Sequence, residues 1–294
     1  MSKAYGLSDQ QFMRFSAQIL LPDFGELGQQ TLQMSKAVVI GLGGLGHAVA
    51  QQLAAAGIAE LILFDDDKVE LSNLPRQLLF TDSDIGKAKV TVAAQKLSSA
   101  YEDCTITARQ KRFTEQDADL LQSVDIIFDC TDNFESRLLN NKVAVKYQIP
   151  LISAAISGYH GQLLCVAPAY EPLSITASMH DTSLASSTQA NSIQTNSTQT
   201  KSAKALPNIR SGCFQCLFPE DTLMAQKCSD LGVLNAAVLS VASMQTLMGL
   251  QWLSGDDDAK QSLIGLLHLF DARSLQWRQV TLSQDAECPV CYTS

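Results

Sequence analysis

The sequence predicts an α/β fold: a doubly wound, mainly parallel sheet, continued by an antiparallel C-terminal portion and stapled by a structural four-cysteine zinc site. Three observations carry this expectation. Short apolar runs alternate with helical segments of about ten residues from Ala37 to Ala155, the pattern of parallel strands buried on both faces. A glycine-rich turn, Gly41-Leu42-Gly43-Gly44-Leu45-Gly46, stands between the first such run and a helix. Two Cys-x-x-Cys pairs, Cys213/Cys216 and Cys288/Cys291, lie far apart in the second half of the chain.

Taken in order, residues 8–34 read as helical segments around a break at Pro22 and Gly25. Ala37–Ile40 is the first buried strand, and the helix from His47 to Ala56 ends at Gly57, a residue suited to a left-handed cap. Leu61–Phe64 is the second strand and runs into Asp65-Asp66-Asp67. After a polar loop, Lys87–Leu97 reads as helix, Thr105–Ala108 as extended and Glu115–Leu121 as helix. Val124–Phe128 is a strand that leads into Asp129-Cys130-Thr131-Asp132-Asn133. A helix over Phe134–Tyr147 stops near Pro150, and Leu151–Ala155 is extended again. Gln162–Val166 opens the second half. Leu263–Phe270 and Trp277–Leu282 read as strands joined through the turn Asp271–Ser274.

The expected organisation is one domain over residues 1–294, with a nucleotide-binding half near 1–155 and a second half, 156–294, carrying the zinc cysteines. Within the latter, 174–205 is dominated by Ser, Thr, Gln and Asn. It has too little apolar surface to offset its ordering entropy and is expected to be a mobile loop.

The 294 residues contain 21 Lys+Arg against 30 Asp+Glu, a net charge of −9. No basic stripe offsets this, which argues against a nucleic-acid partner. The eight cysteines, without a recognisable secretory leader, point to the reducing cytoplasm and to metal thiolates. Cys104, Cys130 and Cys165 fall in or beside apolar runs and are expected to be small buried hydrophobes. The stretch from Leu231 to Gly255 carries no charge and is long enough to cross a bilayer. Asn235, Gln245 and Gln251 interrupt it, so it reads as a buried helix of a soluble protein with no membrane partner.

Two residues between paired cysteines let one tight turn deliver both sulfurs, and four thiolates satisfy tetrahedral Zn²⁺ with no open position for a substrate. A redox Cys-x-x-Cys is the competing reading. Two such motifs, neither opening a helix after a strand, favour zinc.

The glycine loop lets backbone amides and a helix N-terminus meet phosphates through Gly41, Gly43 and Gly44. By itself it points first to a nicotinamide dinucleotide. Asp65, at the end of the next strand, is either a ribose acceptor or a turn carboxylate, and Asp67 shares its acidic run. A dehydrogenase does not account for Ser72-Asn73-Leu74-Pro75-Arg76-Gln77 or for Gly86-Lys87-Ala88-Lys89. Arg76 and Lys89 offer two cations that could neutralise a leaving pyrophosphate, although each alone reads as a solvated surface charge. Asp132 could hold Mg²⁺ through water or position phosphates; Asn133, beside it, is a candidate for the same nucleotide site or simply caps the following helix.

These motifs together resemble the ubiquitin-activating-type (HesA/MoeB/ThiF) adenylyltransferases over nearly the whole chain. Gly-Leu-Gly-Gly-Leu-Gly, Asp65-Asp-Asp-x-Val-x-Leu-Ser-Asn-Leu-x-Arg-Gln77, Gly86-x-x-Lys89, Asp129-Cys-Thr-Asp-Asn133 and the paired cysteines carry the resemblance. Arg14-Phe-x-x-Gln-Ile-Leu-Leu21, Cys213-Phe-x-Cys-Leu-Phe-Pro219 and Cys288-Pro-Val-Cys291 point to the ThiF branch of the thiamine pathway. The resemblance implies a Rossmann-like fold and an ATP-dependent acyl-adenylation. The C-terminal glycine of a ThiS-like ubiquitin-fold sulfur carrier would attack the α-phosphorus and release pyrophosphate. By motif, Gly43 and its neighbours would hold phosphate, Asp65 the ribose, Arg76 and Lys89 the β- and γ-phosphates, and Asp132 the Mg²⁺. Asn73 and Gln77 would support the same triphosphate. The resemblance further implies a homodimer, and a cysteine desulfurase or sulfurtransferase as sulfur donor.

Cys228 matches a position that forms an acyl-disulfide with the activated carrier in that branch; an idle loop thiol is the equal alternative. One departure stands out. A second arginine expected by the resemblance is Ala17 here, and Arg14, three residues earlier, is expected to lie on a similar helix face as a substitute. Two further readings remain open. One is a molybdopterin-pathway relative; the other is a catalytically weakened, zinc-stapled scaffold that binds nucleotide or carrier without turnover.

Overall fold

The computed structural model describes residues 6–168, 211–219 and 232–292. The stretch 174–205 and Cys228 lie outside them. The strands are β1 (Lys36–Ile40), β2 (Glu60–Phe64), β3 (Thr105–Arg109), β4 (Ile126–Asp129), β5 (Leu151–Ser157), β6 (His160–Val166), β7 (Leu266–Asp271) and β8 (Gln276–Thr281). They form one sheet in the order β3-β2-β1-β4-β5-β6-β7-β8. Pairing is parallel from β3 through β5 and antiparallel from β5 through β8. β5 itself carries the sheet across residue 155, so both halves of the chain share one sheet.

The central strands are apolar at successive positions because each face is covered. Val38, Ile40, Ile62, Phe64 and Ile127 pack on the side of α6 (Phe134–Tyr147). Ala37, Val39, Leu61, Leu63 and Phe128 pack against α4 (Gly46–Ala56), α5 (Lys89–Ala100) and α8 (Asn235–Ser254). Each fully buried Val, Ile, Leu or Phe contributes about 1.5–3 kcal/mol. Gly57 ends α4 in the left-handed region, with φ 95°.

α8 is long and apolar enough to cross a membrane by composition. It packs against the sheet instead, with Val238, Val241, Ala242, Met248 and Trp252 buried. Gln245 interrupts its apolar run for a reason: the fully buried amide donates to the carbonyls of Asp129 (3.0 Å) and Ile152 (2.9 Å). Gly249 allows contact with the Phe128 ring, which a Cβ would overlap.

Three local expectations change. The N-terminal helices are α1 (Asp9–Arg14), α2 (Ser16–Ile19) and α3 (Gly25–Leu32), with an added break at Phe15. The buried Phe15 ring lies over Gly57, whose Cβ would come within 2.8 Å of it, and this turns the chain. Arg14 consequently does not share a helix with Ala17; its guanidinium bonds Asp103 at 2.7 Å. Glu115–Ser123 is a 3-10 helix, not an α-helix. The Asp117 carboxylate accepts from the N–H and hydroxyl of Thr114, which caps the start of this helix. The loop after β2 contains another 3-10 helix, Leu71–Arg76. A further 3-10 turn, Asp82–Asp84, and the short helices α7 (Phe214–Leu217) and α9 (Asp257–Gln261) complete the described elements.

Candidate functional site

The strand order reverses between β1 and β4, and ligands of open α/β sheets bind at the carboxyl ends of strands beside such a switch point. A cleft of about 1090 Å³ opens there. Gly41, Gly43, Gly44, Asp65, Asp67, Asn73, Arg76, Gln77, Lys89, Asp132 and Asn133 all line it. The fold thus brings together every residue that the sequence nominated for nucleotide.

The glycine loop is shaped by close backbone approach. Gly41 sits at φ 87°, its N–H donating to the Phe64 carbonyl at 2.8 Å. A Cβ on Gly46 would overlap the Gly41 carbonyl oxygen, so only glycine lets the loop close onto α4. Asp65 braces this turn: Oδ2 accepts from the Leu42 N–H (2.6 Å) and Oδ1 from the Asp67 N–H (2.8 Å). Burial pushes the Asp65 carboxyl above its ordinary value, against the pull of the Leu42 amide and Lys89. Asp65 is therefore a loop brace as well as a ribose candidate.

Lys89 is not a solvated cation. It is 4% exposed, and its Nζ donates to Asp67 Oδ2 at 2.9 Å. Arg76 donates to the Ser72 carbonyl (2.8 Å) and to Asn73 Oδ1 (3.2 Å). The same Asn73 oxygen accepts from Gln77 Nε2 at 3.0 Å, leaving the buried Gln77 Oε1 with no partner among the described residues. Asn73, Arg76 and Gln77 thus form one polar unit on the 3-10 helix and its end.

Across the cleft, the β4–α6 turn is held from below. Asp129, fully buried, accepts from the Thr131 hydroxyl (2.6 Å), Asn140 Nδ2 (2.9 Å) and Ser153 Oγ (2.7 Å). Asp132 lies just beyond this braced turn, on the cleft wall. Asn133 caps α6, its Oδ1 accepting from the Ser136 N–H at 2.9 Å. The sequence reading missed Arg137 and Asn140, which also line the cleft. Arg137 is buried and donates to the carbonyls of Thr131 (2.6 Å) and Ala154 (3.1 Å). The signal was the polar row Asn133, Arg137, Asn140, spaced to share one helix face.

The second feature is the cluster of Cys213, Cys216, Cys288 and Cys291, whose sulfurs lie within 4.8 Å of one another. Sulfurs of a tetrahedral Zn²⁺ site stand about 3.8 Å apart, given Zn–S bonds of about 2.3 Å. The 213–216 and 213–288 pairs lie at 3.9 and 3.7 Å, and the 216–291 pair is closer at 3.3 Å. Backbone or amide N–H groups of Asn141, Asp285 and Gln284 point at the sulfurs of Cys213, Cys216 and Cys291, the outer-shell donors that thiolate ligands attract. The donor set and spacing fit zinc. Asn141 also accepts from the Phe214 N–H at 2.9 Å, which joins the cluster to α6. Cys104, Cys130 and Cys165 are buried, as expected; burial pushes Cys104 and Cys165 up to about 12.

Comparison with known proteins places residues 15–290 in a match to the ThiF family model. The chain is 36% identical over 286 residues to the sulfur carrier protein ThiS adenylyltransferase of Escherichia coli (strain K12), covering 97% of each chain. It is 31% identical to the sulfur carrier protein adenylyltransferase of Thermus thermophilus, covering 95% of this chain and 90% of that one. Among solved structures, E. coli MccB with ATP superposes with a TM-score of 0.69 at 20% identity, over 99% of this chain and 77% of that one. The last likeness is one of fold.

Proposed function

This chain belongs to the ThiF family, and on that premise we propose that it adenylates the C-terminal glycine of a small ubiquitin-fold sulfur carrier with ATP. A carrier carboxylate oxygen attacks the α-phosphorus, the bond to the β-phosphate oxygen breaks, and pyrophosphate leaves. The supporting observation is the convergence of Gly43, Asp65, Arg76, Lys89 and Asp132 on one cleft at the switch point. Such chemistry needs positioning and charge neutralisation more than covalent help.

In this reading the glycine loop and the α4 N-terminus hold phosphate, and Asp65 holds the ribose. Arg76 and Lys89 face the β- and γ-phosphates, with Asn73 and Gln77 beside them. Lys89 then exchanges Asp67, which is two-thirds exposed, for phosphate oxygens. Asp132 would hold Mg²⁺, since such ions use one or two carboxylates plus substrate phosphates. When bound, the ion supplies further neutralisation of phosphate charge. Cys213, Cys216, Cys288 and Cys291 would hold zinc in a structural role.

The 36% identity to a ThiS adenylyltransferase supports a ThiS-like carrier; the family resemblance alone extends this reading to thiamine thiazole formation, a desulfurase or sulfurtransferase as donor and Cys228 in the later sulfur step. The molybdopterin pathway is the neighbouring alternative. We assign the chain one adenylyltransferase domain, cytoplasmic and homodimeric. The exposed Met13, Leu20 and Leu27 of the N-terminal segment support a second copy as partner. A non-catalytic scaffold is favoured by one observation: Ala17 replaces an expected cation, and Arg14 is engaged by Asp103.

Carrier-dependent ATP–pyrophosphate exchange tests the proposal. Exchange is expected with a Gly-Gly-ended carrier and is expected to fall at least about 100-fold in Asp132→Ala. ATP binding without exchange would establish the scaffold instead, and normal exchange in Asp132→Ala would remove that residue from the mechanism.

A further inference from the structure

The imidazole of His47 joins the two segments that form the phosphate end of the cleft. His47 lies in the first turn of α4, immediately after the glycine loop, and is 1% exposed. Its Nδ1 is 2.9 Å from the Gly43 carbonyl oxygen. Its Nε2 is 3.0 Å from the backbone nitrogen of Leu78. A carbonyl can only accept and a backbone N–H can only donate, so Nδ1 carries the proton and Nε2 offers its lone pair. The neutral ring is thereby committed on both edges. Burial favours the same neutral form by lowering the imidazole below its ordinary value, against the raising effect of the Gly43 and Gly44 backbone contacts.

Both ends of this tether matter to the cleft. Gly43 belongs to the loop, and Leu78 directly follows Arg76 and Gln77. The two segments face each other closely: ideal Cβ positions on Gly43 and Gly44 would stand 4.0 Å from Gln77 Nε2 and 3.9 Å from Arg76 Cδ. Among the described residues, the His47–Leu78 bond is the side-chain hydrogen bond that ties the loop and the start of α4 to the Arg76–Leu78 segment.

We propose that His47 is a positioning residue, holding the Arg76–Gln77 segment at a set distance from the glycine loop so that both address the same β- and γ-phosphates. This rests on the adenylation reading, which assigns those phosphates to Arg76. A leucine at position 47 keeps the bulk and removes both bonds. A glutamine keeps an acceptor near the Nε2 position for Leu78; an asparagine keeps only a donor near the Nδ1 position for Gly43.

The test is equilibrium binding of ATP and of AMP to the full-length protein and its variants. His47→Leu is expected to weaken ATP about tenfold, equivalent to about 1.4 kcal/mol, and AMP by less than about twofold. His47→Gln is expected to recover ATP affinity to within about threefold of the unsubstituted protein, and His47→Asn is not. Equal loss for ATP and AMP, or unchanged ATP affinity in folded His47→Leu, overturns the proposal. Should His47→Leu fail to fold, the Gln–Asn comparison decides: Gln binding ATP no better than Asn overturns it. Wild-type protein that binds no ATP refutes the nucleotide reading itself, a result distinct from these.

Discussion

Replacing Cys288 with serine should remove the metal and release the C-terminus. Cys288 is buried on the α6 side of the sheet, and its sulfur lies 3.7 Å from that of Cys213, 75 residues earlier. A zinc bound to both cross-links the chain across that span. In the chain-entropy treatment, closing a loop of this length restricts the unfolded state by about 4.5 kcal/mol. That is a large part of a net stability of about 5–15 kcal/mol. Serine offers a hard, protonated oxygen in place of a thiolate, so the remaining three sulfurs bind zinc far more weakly. Wild-type protein is expected to carry one zinc per chain by mass spectrometry of the metal. The variant should carry almost none. With a urea slope of about 2 kcal/mol per molar, its unfolding midpoint should fall by about 2 M, and chelation of the wild type should give the same shift. Full zinc content in Cys288→Ser would refute the four-thiolate site. Loss of zinc with an unchanged midpoint would refute the stapling argument.

Two stability predictions follow from the core and the surface. Gly249→Ala places a methyl group where the Phe128 ring stands, and such overpacking costs about 1–3 kcal/mol. Differential scanning calorimetry should show a Tm lower by several degrees, and an unchanged Tm would mean that α8 does not pack on β4 as described. Asp84 is held well below the usual carboxylate range, chiefly by Lys96 at 2.5 Å, with Thr81 assisting against the opposing effect of burial. A depressed carboxyl stabilises the fold above its unfolded value, at about pH 4, and loses that contribution as pH falls. Asp84→Asn is therefore expected to cost about 1 kcal/mol at about pH 7 and progressively less below about pH 4, read from urea unfolding at both pH values. A cost that does not shrink with acidification would contradict the ion-pair origin.

Much of this protein is legible without its structure. Periodicity locates the buried strands and the long helices: the α6 bounds, Phe134–Tyr147, agree at both ends. The motif spacing also nominates residues that share the cleft. That succeeds because a strand buried on both faces must be apolar throughout, and a phosphate loop needs glycines where the backbone folds on itself. Glu115–Ser123 escapes such reading because apolar spacing does not distinguish an α-helix from a 3-10 helix. Arg14 departs from expectation because helical spacing assumes an unbroken helix, and Phe15 turns into a packing site visible only in three dimensions.

Residue types and their local order determined the sheet class, the two cysteine pairs and the glycine turn, since each follows from short-range rules of geometry and hydration. The pairing of Lys89 with Asp67, the brace from Asp65 to Leu42, the Gln245 bridge beneath the cleft and the two-edged engagement of His47 were decided by tertiary structure alone. Those contacts join residues distant in the chain. Their partners are chosen by which polar groups the packed core buries together and obliges to satisfy one another.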